Sequence, residues 1–84
     1  MIETIVICDD LHCSMNHGSN DLEYAFYLRV GEQIMKKRWY SKESRALFKL
    51  DFDRQEKHEI TCLIKNVNGD ISSITHEVGR LELD

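Results

Sequence analysis

The stretch "CDDLHCSMNH" (8–17) holds two thiols, two imidazoles and two carboxylates within ten residues. Three chemistries are open to such a set. Cys8, Cys13 and His17, with His12 between them, offer the thiolate and imidazole atoms that suit tetrahedral zinc. Their spacing, Cys-x4-Cys-x3-His, departs from the Cys-x2-Cys knuckle of most zinc ribbons and fingers, and no second ligand pair follows at a usual distance. Cys13 could instead act as a nucleophile with His12 or His17 as its base. A reactive thiol needs an electropositive setting, however, and Asp9 and Asp10 lie beside it in sequence. Asp9, Asp10, Asn16, Asn20 and Asp21 supply oxygen atoms of the kind calcium prefers, but without the ligand alternation of a calcium-binding loop. The plainest reading is a strand end at Cys8, its thiol acting as a small hydrophobe, followed by a polar loop. On that reading no catalytic residue, cofactor or metal is expected.

The second cluster is "MKKRWY" (35–40), where Lys36, Lys37 and Arg38 precede Trp39 and Tyr40. Basic and aromatic residues so interleaved resemble a nucleic-acid surface. The whole chain argues otherwise, because eleven Lys plus Arg stand against fifteen Asp plus Glu for a net charge of −4. Neither nucleic acid nor an anionic membrane surface is an expected partner. Strand alternation sends Lys37 and Trp39 to one face and Lys36, Arg38 and Tyr40 to the other. Whichever of the two faces outward, with Tyr27 and Leu63 on outward positions, forms an expected exposed apolar patch. Such a patch fits contact with a protein partner or neighbouring domain. It also fits a glycan, since aromatic faces match the C–H faces of sugar rings.

These side chains must be positioned by strands, because the apolar period is two rather than 3.6. The β-branched run at 2–8 predicts a first strand and 14–21 a loop. The clearest alternation follows: Leu22, Tyr24, Phe26, Leu28 and Val30 on one face, with Glu23, Ala25, Tyr27 and Arg29 on the other. Gly31-Glu32 turns the chain into a return strand at 33–40. Ala46, Phe48 and Leu50 mark another strand, and 51–57 is a charged connection. A strand at 58–67, with Ile60, Cys62 and Ile64 on one face, leads through an Asn68-Gly69 hairpin turn to a strand at 71–78. Residues 81–83 read as a short terminal strand. The sum is an all-β antiparallel sandwich of six or seven strands.

Two segments carry a family resemblance. "LEYAFYLRVGEQIMKKRWYS" (22–41) resembles the second hairpin of bacterial immunoglobulin-like modules of the triple-tyrosine type, relatives in shape of fibronectin type III domains. "HEITCLIKNVNGDI" (58–71) resembles their penultimate strand and last hairpin, with His58 where that family carries an aromatic residue. The resemblance implies an immunoglobulin-like sandwich with one of Trp39 and Tyr40 in its core, since family members bury an aromatic on this strand. It also implies a non-catalytic accessory domain of a larger bacterial protein, often one handling surface polysaccharide.

At 84 residues the chain is read as one domain, 1–84, with a thin core. The start, Met-Ile-Glu-Thr-Ile-Val-Ile-Cys, has neither the basic opening nor the flanks of a signal peptide. Three cysteines are too few for a disulfide-stapled scaffold. Cys8 and Cys62 are therefore expected as reduced core thiols and a cytoplasmic setting is favoured.

Overall fold

The computed structural model describes residues 2–7, 10–15, 21–50 and 56–78. They form β1 (Ile2–Ile7), β2 (Asp10–Met15), β3 (Glu23–Val30), β4 (Gln33–Ser41), β5 (Arg45–Lys49), β6 (His58–Lys65) and β7 (Ile71–Glu77). Two antiparallel sheets, ordered β1-β2-β5 and β4-β3-β6-β7, enclose a common core. The chain changes sheet after β2, after β4 and after β5, which makes the seven-stranded antiparallel sandwich its alternation predicts.

Alternation explains which side chains fill the core. Tyr24, Phe26 and Leu28 of β3 and Ile60 and Cys62 of β6 are fully buried, and Ile64 packs against them from a half-buried position. Leu11, Cys13 and Met15 of β2, with Phe48 and Leu50 around β5, supply the opposing layer. Each large apolar side chain so removed from water contributes roughly 1.5–3 kcal/mol.

Three local expectations need correction. The segment 14–21 is not a loop from its start, because Asp10–Met15 is a strand pairing with β1 on one side and β5 on the other. Leu11, Cys13 and Met15 alternate inward there, but two of the three carry sulfur and read as chemistry rather than as core. The final hairpin is also looser than an Asn-Gly two-residue turn. Its strand ends at Lys65, and the Gly69 amide donates to the Asn66 carbonyl at 3.0 Å. The Asn66 side-chain oxygen accepts from the amides of Asn68 and Asp70. Gly69, at φ 86°, takes the left-handed conformation that closes this loop.

The third correction concerns β4. Phe26 pairs with Arg38 but Tyr24 pairs with Ser41, so two steps on β3 match three on β4. This bulge breaks strict alternation, and neither Trp39 nor Tyr40 enters the core. The position over the Phe26 ring belongs to Arg38, whose guanidinium lies 5.1 Å from the ring centre. The expected residues Cys8, Asp9, Asn16, His17 and Asn20, and the strand at 81–83, lie outside the described residues.

Candidate functional site: the outer face of the four-stranded sheet

The outward residues of β3, β4 and β6 build this surface. Tyr27 pairs with Lys37 across the β3–β4 ladder, and Ala25 pairs with Leu63 across β3–β6. Ala25, although on this outward side, is fully buried. Trp39 is 66% exposed there and meets Tyr40 edge to face, with ring centres 5.1 Å apart. Two lysines lie over the tyrosine rings: Lys37 Nζ is 5.5 Å from the Tyr27 centre and Lys65 Nζ 4.4 Å from that of Tyr40. A cation over a ring face gains about 0.5–1 kcal/mol at such exposed sites. Desolvation, and then the neighbouring Tyr27, push the Tyr40 hydroxyl above its ordinary value.

Tyr27, Trp39 and Tyr40 thus share one face, with half-buried Leu63 beside them. The two lysines were not anticipated as part of it. Their signal was available, because Lys37 opposes Tyr27 in the hairpin and Lys65 has the same strand parity as Leu63. The arrangement offers flat rings, the half-buried Leu63 and two cations on one face.

The zinc and nucleophile readings both need a Cys13 thiolate. Cys13 instead points into the core and donates its S–H to the Ala46 carbonyl at 3.4 Å. Burial pushes its thiol up to about 12, and burial pushes Cys62 to about 11. Both thiols are free. At neutral pH both thiols stay protonated and neither is the thiolate that attacks an electrophile; Cys8 and His17 of the zinc reading lie outside the described residues. An open depression of about 700 Å3 runs by Cys13, His12, Arg45 and His76. The two histidines come from opposite kinds of position, His12 on the outside of its sheet and His76 facing the other sheet, where its Nε2 lies 3.3 Å from Thr4 Oγ1. No three His, Cys, Asp or Glu among the described residues gather as a metal cage.

His58, at the start of β6, is buried, and its Nδ1–H donates to the Glu56 carbonyl at 2.8 Å, tying the strand back to the preceding backbone. No protein-family model, no curated protein and no solved structure matches this chain.

Proposed function

We propose that this chain is a non-catalytic interaction module, an accessory unit of a larger bacterial protein, that docks a neighbouring domain or protein partner through the outer face of its four-stranded sheet. The observation that carries this reading is the gathering of Tyr27, Trp39 and Tyr40 beside Leu63, in place of one aromatic being used as core. Exposed aromatics add large contact area at little entropic cost and are enriched in protein interfaces. Lys37 and Lys65 at the rim favour a partner with acidic groups around an apolar centre. The thin core of an 84-residue chain also gains from a neighbour's support.

Glycan binding is the second reading, favoured by the exposure of Trp39, whose ring could stack on a sugar. A polysaccharide-handling parent protein would accommodate either role. One titration separates them. A docking module shows no tryptophan fluorescence or amide shift with millimolar oligosaccharides, yet binds the rest of its parent protein added in trans, and Trp39→Ala weakens that binding at least tenfold. Saturable oligosaccharide binding through Trp39, with no affinity for the parent protein, would replace docking by glycan recognition.

A further inference from the structure

The two lateral seams of the sandwich differ in kind. At the β4–β5 seam, basic side chains of β4 cap the backbone of the other sheet. Lys36 donates to the Lys49 carbonyl at 3.1 Å, and Arg38 donates to the carbonyls of Glu43 and Arg45 at 2.5 and 3.1 Å. Charged residues of this kind keep a sheet edge from pairing with another chain. At the opposite seam β7 carries "ISSITHE", with no Lys, Arg or Pro. All of 71–75 is exposed, including Ser72 and Ile74, whose parity faces the other sheet. Among the described residues no strand pairs with the outer side of β7.

The backbone of that edge is oriented for pairing. The Val78 amide donates to the His58 carbonyl at 2.9 Å and the Asn66 amide to the Asp70 carbonyl at 3.0 Å. In an antiparallel ladder the bonded pairs alternate. Even-numbered β7 residues therefore turn their N–H and C=O toward β6, and Ile71, Ser73, Thr75 and Glu77 turn theirs away. The edge combines outward backbone groups and β-branched side chains, and its one carboxylate, Glu77, lies at its end.

We propose that the free edge of β7 joins two copies of this chain through an antiparallel β7–β7 contact centred on Ile74. A two-fold axis at Ile74 sets Ile71 opposite Glu77, Ser72 opposite His76, Ser73 opposite Thr75 and Ile74 opposite itself. Every outward-turned residue then exchanges hydrogen bonds with its counterpart. Ile74, 38% exposed in the single copy, gains an apolar neighbour. No like charges meet across the contact. The other edge of the same sheet fails this test, because β4 paired on itself about its midpoint would set Lys37 against Lys37 and Lys36 against Arg38. The contact is isologous, as a closed dimer requires. It uses a surface separate from Trp39 and does not depend on the docking reading.

Sedimentation velocity from micromolar to near-millimolar concentration tests it. The unsubstituted chain should pass from monomer to dimer across that range. Ser73→Pro deletes one outward N–H while leaving the bonds to β6, and should stay monomeric with unchanged circular dichroism. Should the proline variant fail to fold, Ser73→Lys places a guarding charge at the same position and gives the same readout. Trp39→Ala should still dimerise. Directly opposed, non-bonded pairs have Cα atoms about 4.5 Å apart, within disulfide reach, so Ile74→Cys should crosslink under oxidation where Asn68→Cys does not. A chain monomeric throughout, a dimer that survives both Ser73 substitutions, or one that Ile74→Cys does not crosslink would overturn the proposal.

Discussion

Cys13 shows how residue type and residue role part company. Within its ten-residue segment it looks like a ligand or nucleophile, but inward parity on β2 makes it a core residue beside Leu11 and Met15. The consequence is measurable as a pH dependence. Burial raises the Cys13 thiol from its ordinary value of 9.0 to about 12, and Cys62 to about 11. A group that binds its proton more tightly when folded contributes stability that is complete below the unfolded value and lost as pH rises through the folded one. Stability should therefore fall between pH 9 and about 12, because unfolded thiols ionise there while folded ones do not. Urea unfolding at pH 8, 9 and 10 should show the decline, and it should be shallower when both cysteines are alanine. At pH 8 a thiol reagent should modify Cys13 and Cys62 only after denaturant is added. Rapid reaction of Cys13 in the native protein would return the segment to the reactive class.

At the scale of elements, most of the fold was legible in the sequence, and the failures have physical causes. The alternation of 22–30 is carried by large aromatic and aliphatic side chains, so β3 and its partners could be read directly. β2 carries the same alternation in Leu11, Cys13 and Met15, but flanking Asp, Asn, His and Ser residues mask it with turn chemistry. The bulge in β4 left no mark in the hydrophobic pattern. It lies where Tyr24 pairs with Ser41 rather than with Tyr40, which puts both aromatics outside, while Arg38, paired with Phe26 before the bulge, lays its guanidinium over that ring. The candidate face was thus legible in its members, Tyr27, Trp39, Tyr40 and Leu63, but not in the bulge that exposes both aromatics of β4. Arg38 does what an apolar residue there could not, since it donates to carbonyls of Tyr24, Trp39, Glu43 and Arg45 and so joins the two sheets. Arg38→Ala should cost about 1.5–3 kcal/mol, the range for hydrogen bonds involving a charged group. Arg38→Lys should recover only part of this, because an ammonium cannot fork between several carbonyls. Chemical denaturation of the three proteins measures it, and an Arg38→Ala variant as stable as the unsubstituted chain would show the clamp to be idle.

At the scale of the molecule, a thin core makes each shared residue count. Phe26 sits on β3, which is flanked by β4 and β6, and it belongs to the cluster that joins both sheets. Its ring also carries the Arg38 guanidinium. Removing it opens a cavity where two layers meet, and neither sheet can close the gap without shifting against the other. Phe26→Ala should therefore cost about 3–5 kcal/mol. That is a large share of the roughly 5–15 kcal/mol that holds a typical domain folded. The loss should appear in one cooperative transition, because the sheets share a core and have no separate ones to retain. Thermal unfolding followed by circular dichroism and by Trp39 fluorescence tests both parts, since the first reports all strands and the second reports β4 alone. The two signals should move together to a lower temperature. A variant whose Trp39 signal shifts while the strand signal stays would mean that β4 unfolds alone. One melting like the unsubstituted protein would mean that Phe26 does not join the layers.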